Sequence, residues 1–221
     1  DVAVVYDYES MASFRIQRQS FLMDYKQEVY RLYRPFYKKN INMDVIPSDS
    51  DFDKYKVLLL PVMIVHKKEV QDKVRKFVSG GGTVVFTYRT AVKDYYNNLT
   101  LGQFNPTYYT DLVGGYVEEV ESFQDDQVAF LIGNEEFEGI NGTATVFRDM
   151  LKTTTAKTLF KYEDEFFEDL AAVTLNEYEG GKVYYIGSGA DNTIMDAITN
   201  KIINESNLDA IESEEGVEVV R

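Results

Sequence analysis

The sequence contains no cysteine and no tryptophan, and it has a single histidine. Without cysteine the chain can form no disulfide, no thiolate metal site and no thiol nucleophile. The one histidine, His66, leaves a single imidazole as a candidate general base. These absences exclude cysteine-dependent catalysis and leave His66 as the sole candidate for histidine-dependent catalysis.

Basic residues are scarce relative to acidic ones. The chain has 23 Lys and Arg against 37 Asp and Glu, which gives a formal net charge of −14. A field of that sign repels phosphate backbones, so nucleic acid is an unfavourable partner. No apolar run approaches the roughly 20 residues that a membrane span needs, and no signal-peptide pattern precedes the first strand. We therefore expect no membrane partner and a cytoplasmic location.

The glycine and acidic motifs of common ligand sites are incomplete. A dinucleotide site needs glycines between the first strand and its helix, and residues 8–20 contain none. Gly80–Gly82 follows a helical pattern, where glycine is typical of a helix end. Asp49–Asp53 alternates acidic residues like a calcium loop, but Lys54 and Leu60 occupy the positions that require glycine and glutamate. We expect neither a cofactor nor a metal.

The first half of the chain alternates apolar strands with amphipathic helices. The predicted strands are Val2–Asp7, Ile41–Ile46, a segment within Lys56–Val65, and Thr83–Tyr88. One helix is predicted to begin at an N-cap at Ser20, and another carries Val70, Val74, Phe77 and Val78 on one face. Such alternation implies a mostly parallel sheet with helices on both faces. We predict an α/β fold with strand order 2-1-3-4, flavodoxin-like or class I glutamine amidotransferase-like.

The second half is richer in short β-like runs. We interpret residues 115–176 as a β-rich elaboration of the same domain, which would extend over residues 1–207. Ala171–Ser188 reads as a hairpin with Gly180-Gly181 at its turn, and its second arm is apolar enough to rejoin the central sheet. A last helix is predicted from about 192 to 204. Residues 208–221 are expected to be a linker and the start of a further β domain.

Several side chains are predicted to meet at the carboxyl edge of this sheet. Most belong to the irregular, aromatic-rich loop after the first strand, and the others follow the third and fourth strands. The candidates are Tyr8, Phe14, Arg15, Gln17, His66 and Arg89. Aromatic residues and arginine are enriched among residues that dominate binding at protein interfaces. Two interpretations remain open: contact with another subunit, or aromatics that cap the core while the arginines pair within the domain. For His66, a position at a helix start or on the surface is the simpler expectation.

Long parts of the sequence resemble the middle domain of glycoside hydrolase family 42 β-galactosidases. The resemblance is carried by VYDYES…FRIQRQS, DYKQEVYRLYRPFYKKNINMDVIPSDSDFDKYKVLLLPVMI, VSGGGTVVFTYRTAVKDYYNN and AAVTLNEYEGGKVYYIGS. GVEVVR is similar to the start of that family's C-terminal β domain. Family members often carry tryptophans where this chain has Met11 and Ala12, so the contacts of this loop are expected to differ in detail.

The resemblance implies a non-catalytic trimerisation domain with the fold of class I glutamine amidotransferases. Its partners would be two further copies of itself and the catalytic barrel of the parent enzyme. Two glutamates of that barrel would hydrolyse terminal β-galactosides with retention, so no catalytic residue is expected in this chain.

Two other functions fit parts of the sequence. A stand-alone carbohydrate or small-molecule binding module would use Tyr8, His66 and Arg89 at the carboxyl edge, helped by a content of 17 tyrosines. A hydrolase of the amidotransferase type would lack its thiol nucleophile.

Overall fold

A single mixed sheet runs through the molecule and is covered by helices on two faces. The computed structural model describes residues 1–214 and 217–219. Its strands are β1 Val2–Tyr6, β2 Met43–Pro47, β3 Val57–Leu60, β4 Thr83–Thr87, β5 Gly115–Ser122, β6 Ala129–Gly133, β7 Asn141–Thr153, β8 Lys157–Tyr162, β9 Ala171–Tyr178, β10 Gly181–Ile186 and β11 Ser188–Ala190. Its helices are α1 Tyr8–Ile16, α2 Tyr25–Tyr37, α3 Lys68–Ser79, α4 Thr110–Val113 and α5 Asn192–Glu205, with a 3₁₀ turn at Glu135–Phe137.

The strand order divides the sheet into a parallel half and an antiparallel half. The order is β2-β1-β3-β4-β10-β9-β8-β6-β7-β11, with β5 paired to β7. Strands β1 to β4 and β10 run parallel, and β5 to β9 join through antiparallel pairs. The predicted order 2-1-3-4 and the α/β class are therefore confirmed. The expected mostly parallel sheet is wrong for the sheet as a whole, because the second half of the chain adds antiparallel strands. The β-rich segment 115–176 continues the same sheet.

Apolar side chains on both faces of the parallel strands bind the two helical layers. Leu32 of α2 and Ile198 of α5 are buried on one face, in the same cluster as Val4 of β1. Val74 of α3 is buried on the other face, beside Leu58 of β3. This arrangement explains why the strands are continuous apolar runs, since each must be hydrophobic on both sides.

The hairpin between β9 and β10 connects the two halves. Its turn is Glu179-Gly180, one residue earlier than the predicted Gly180-Gly181, because Gly181 already pairs with Tyr178. The φ values of Glu179 and Gly180 are +46° and +93°, as the favoured two-residue hairpin turn requires. A Cβ atom on Gly181 would stand 2.2 Å from the carbonyl oxygen of Val78, so a larger residue would collide with the end of α3. After this turn β10 pairs in parallel with β4, which confirms that the second arm rejoins the central sheet.

The segment after β1 was predicted to be an irregular loop, and that prediction is wrong over residues 8–16. Asp7 is a buried N-cap whose Oδ2 accepts a hydrogen bond of 2.9 Å from the Ser10 N–H, which starts α1. Two of the residues that α1 buries are serines. The Ser10 hydroxyl accepts from the Val65 N–H and the Ser13 hydroxyl bonds to Asn97, so this helix packs partly through polar contacts.

Two predicted boundaries in the first half also need correction. The N-cap of α2 is Asp24, not Ser20, because the Asp24 carboxylate accepts from the N–H groups of Lys26 and Gln27. The second strand begins at Met43, because Ile41 donates its N–H to the carbonyl of Phe36 and closes the end of α2.

The end of the chain leaves one prediction outside the described residues. Of the predicted strand at residues 216–221, only residues 217–219 are described, and the division of the chain at 207/208 stays a prediction. No helix in the described ranges combines the length and apolar character that crossing a lipid bilayer would demand.

Candidate functional site

The carboxyl edge of the parallel strands has its own small core beneath α1. Phe14 is only 3% exposed and lies in one cluster with Met23, Tyr25, Tyr88 and Phe147. The ring centroids of Tyr88 and Phe147 are 5.5 Å apart. The structure therefore brings together residues that follow β1 and β4, as the sequence predicts, but Phe14 is a core residue and not an exposed anchor.

Arg89 is held by the strands beside it. Its φ of +59° lies in the left-handed region, which is costly for a residue with a side chain. Its N–H donates a 2.7 Å hydrogen bond to Asp149 Oδ2, and its guanidinium donates to Gln19 Oε1 at 2.8 and 3.2 Å. Arg89 therefore bonds within its own domain, through its guanidinium to an amide oxygen and through its backbone N–H to a carboxylate.

Asp149 is the polar centre of this edge, and no sequence pattern singled it out. Besides the Arg89 N–H, its Oδ2 accepts a 2.7 Å hydrogen bond from the Tyr185 hydroxyl. Burial raises the pKa of the Asp149 carboxyl above its usual value, because water does not reach it to stabilise the charge. The carboxylate therefore serves to fix the turn after β4.

His66 is buried between aromatic rings, so the expected surface position is wrong. It is 7% exposed, stacks on Tyr108 at 4.7 Å between ring centroids, and meets the edge of Tyr109. Its Nε2 lies 3.3 Å from Gln71 Oε1, and burial lowers the pKa of the imidazole. His66 still lies just before α3, as predicted from the chain position.

The remaining candidates point towards solvent. Tyr8 is exposed and packs edge-on against Tyr6, while Arg15 and Gln17 lie exposed at the end of α1. Tyr8 packs on Tyr6, His66 stacks on Tyr108 and Arg89 bonds to Gln19, so each of the three side chains has its own partner within the domain.

A larger exposed apolar surface was missed by the sequence reasoning. We define the carboxyl-edge surface as six side chains, each more than half exposed: Tyr8, Ile16, Tyr95, Tyr96, Leu99 and Leu101. The segment after β4 is joined to α1 by the Ser13–Asn97 hydrogen bond of 2.6 Å, and Lys67 Nζ lies 5.4 Å from the Tyr95 ring centroid. The sequence signal for this surface is the long run of Tyr, Asn and Leu after β4, which has neither helical nor strand periodicity.

Comparison with known proteins gives the family. The family described as "Beta-galactosidase trimerisation domain" matches residues 1–209. The chain belongs to this family of trimerisation domains. The resemblance stated above is confirmed, and assembly is the function that the family description assigns to this part of a β-galactosidase.

Curated relatives and solved structures agree with that assignment. β-Galactosidase GalA of Bacillus licheniformis is 33% identical over 194 residues, which cover 85% of this chain and 28% of that protein. β-Galactosidase BgaP of Planococcus sp. (strain L4) is 26% identical over 221 residues, 98% of this chain and 32% of that protein. The crystal structure of β-galactosidase from Bacillus circulans sp. alkalophilus superposes with a TM-score of 0.89 at 26% identity, covering 94% of this chain and 31% of that one. The trimerisation domain thus spans about a third of the length of its relatives.

Proposed function

We propose that this domain joins three copies of its natural polypeptide, and that the assembled enzyme hydrolyses terminal β-D-galactosides with retention of configuration. The family match over residues 1–209 and the relatives named as β-galactosidases support this proposal. The catalytic barrel of that enzyme is the other proposed partner. No residue of the described chain is assigned a catalytic role; its contribution is contact area.

We also propose a flavodoxin-like, class I glutamine amidotransferase-like fold for the parallel half. The strand order β2-β1-β3-β4 and the helices on both faces support it. In open sheets of this kind the carboxyl edge is the usual place for binding. Here that edge carries an apolar surface in place of a cofactor loop.

The carboxyl-edge surface is the observation that carries the proposal. Tyr96 and Leu101 are 80% and 85% exposed, and the ring centroids of Tyr95 and Tyr96 are 5.6 Å apart. Contiguous exposed apolar patches mark interaction sites in soluble proteins, and aromatic residues are enriched in the centres of interfaces. Burial of this surface against another subunit would remove it from water.

A charge placed on this surface is expected to weaken the assembly. In the natural full-length polypeptide, Tyr96→Glu and Leu101→Glu should each raise the trimer dissociation constant at least about tenfold, since a carboxylate would have to be buried. Sedimentation equilibrium measures this constant. Val45→Glu is the matched control, because Val45 is exposed within the edge strand β2 and is not part of the carboxyl-edge surface, so the constant should be unchanged.

Two results would contradict the proposal. One is a natural polypeptide that is monomeric at micromolar concentration. The other is unchanged assembly of both glutamate variants, which would show that the carboxyl-edge surface stays in water.

A further inference from the structure

A small basic pocket opens between the end of α1 and the start of α2. Its volume is about 270 Å³, which is below the roughly 300–1,000 Å³ typical of small-molecule sites and suits one inserted side chain. The pocket is lined by three buried side chains and by three exposed cations, together with Met11 and Asp24; the buried side chains are Phe14, Met23 and Tyr25, and the cations are Arg15, Arg18 and Lys26.

The three cations of this pocket form no ion pair with other described residues. The Asp24 carboxylate also lines the pocket, where it accepts hydrogen bonds from two backbone N–H groups at the start of α2, so the lining has three cations and one anion. The pocket is therefore a locally basic site on a chain with a net charge of −14.

A complementary tip lies between β8 and β9. Phe166 is 91% exposed, and the exposed acids Glu165, Glu168 and Asp169 surround it in the sequence. Their carboxylates form no ion pair with the described residues. We name residues 163–169 the acidic tip.

The acidic tip is held in position from below. Arg148 donates a 2.9 Å hydrogen bond from Nη1 to Asp164 Oδ2, and its guanidinium lies 5.2 Å from the Phe167 ring centroid. Asp164 Oδ1 also accepts from the Phe166 N–H at 3.0 Å. Phe167 therefore points inward as an anchor, while Phe166 is presented to solvent on a fixed turn.

We propose that Phe166 of one copy inserts into the basic pocket of the next copy, and that three such contacts close the trimer. This inference rests on the proposed trimerisation. A cyclic trimer needs two different surfaces on every subunit, because a self-complementary patch gives a twofold dimer. The basic pocket and the acidic tip supply one surface each, with opposite charge.

Position and charge both support a second copy as the occupant. The end of β8 and the start of β9 lie beside the carboxyl end of β10, as Val173 pairs with Ile186, so the tip and the pocket lie at the same edge of the sheet. Three strongly acidic subunits repel one another. A contact that places three carboxylates against three cations opposes this repulsion where the chains meet.

Charge reversal in the natural full-length polypeptide tests the proposal. The pocket variant Arg15→Glu/Arg18→Glu and the tip variant Glu165→Lys/Glu168→Lys should each raise the trimer dissociation constant at least about tenfold, or about 1.4 kcal/mol. Combining all four changes should return the constant to within about threefold of the original, because opposite charges then face each other again. Sedimentation equilibrium at about 0.05 M salt gives these constants, and about 1 M salt should shrink the differences.

Two controls separate this contact from general charge effects. Lys38→Glu and Glu118→Lys reverse exposed charges elsewhere and should leave the constant unchanged. Phe166→Ser removes the inserted ring without changing charge and should weaken the trimer at both salt concentrations.

Each remaining outcome overturns the proposal in a distinguishable way. If the natural polypeptide is a trimer and neither charge-reversal variant changes its dissociation constant, the pocket–tip contact is refuted and the proposed trimerisation stands. Weakening by the pocket variant alone, or no recovery on combination, would show that another segment fills the pocket. A natural monomer would refute the proposed trimerisation itself.

Discussion

Replacing Tyr88 with alanine is expected to lower the free energy of unfolding by about 3–5 kcal/mol. Tyr88 is completely buried after β4 and packs with Phe14 and Phe147 in the core beneath α1. Truncation would leave a cavity among the closely packed side chains of this cluster, which come from α1, α2 and β7. Urea denaturation followed by circular dichroism measures the loss, which should appear as a lower midpoint with an unchanged slope.

Tyr88→Phe is the matched control for this substitution. It keeps the ring and removes only the hydroxyl, which lies 3.8 Å from the Met23 sulfur, so a loss of about 0.5–1.5 kcal/mol is expected. Equal losses for Ala and Phe would show that the hydroxyl, and not ring packing, stabilises this edge.

Arg31→Ala is the second substitution with a large expected effect. Glu28 is 4% exposed, and its two carboxylate oxygens accept hydrogen bonds of 2.9 and 3.1 Å from Arg31. Arg31 also donates to the Ala190 carbonyl, which joins α2 to β11. Removing the arginine leaves a buried carboxylate unpaired and should cost about 3 kcal/mol, the lower end of the range for such pairs because Arg31 is partly exposed.

Two further variants separate the charge from the rest of the side chain. Arg34→Ala, also on α2 and without an ion pair among the described residues, should change stability by less than about 0.5 kcal/mol. Glu28→Leu/Arg31→Leu should recover most of the loss, since an apolar pair leaves no buried charge. If the double variant were as unstable as Arg31→Ala, loss of the Ala190 bond would be the main cause.

The parallel half of the fold was predictable because its strands are apolar on both faces. Val2–Tyr6, Val57–Leu60 and Thr83–Thr87 are continuous hydrophobic runs, and each is almost fully buried. The hairpin itself was also predictable, although its turn lies one residue earlier than predicted and places Glu179 at a positive φ. In these places local preference and tertiary packing agree.

The helix after β1 was not predictable by the same reasoning. α1 buries Ser10 and Ser13 beside a single aromatic, Phe14, so its sequence shows no apolar stripe. Its buried face depends on hydrogen bonds to Val65 and Asn97, which are distant in the chain. Hydrophobic periodicity cannot report a helix that packs through hydroxyl groups.

The site was only partly accessible from sequence for a related reason. The residue types predicted contacts at the carboxyl edge. They do not predict side-chain exposure, so they cannot distinguish a buried aromatic such as Phe14 from an exposed one such as Tyr96. Asp149 is a single acid within β7 whose importance comes from Tyr185 and Arg89, far away along the chain. Only the folded arrangement shows that it fixes the turn after β4.

The place of β4 in the sheet has a consequence for biosynthesis. Strand β3, on one side of β4, is synthesised before it. Strand β10, on the other side, leaves the ribosome only after β5 to β9. Throughout that interval an apolar strand has an open edge able to pair with other chains. A nascent chain released before residue 186 would retain this open edge, so complete translation itself protects the domain from aggregation.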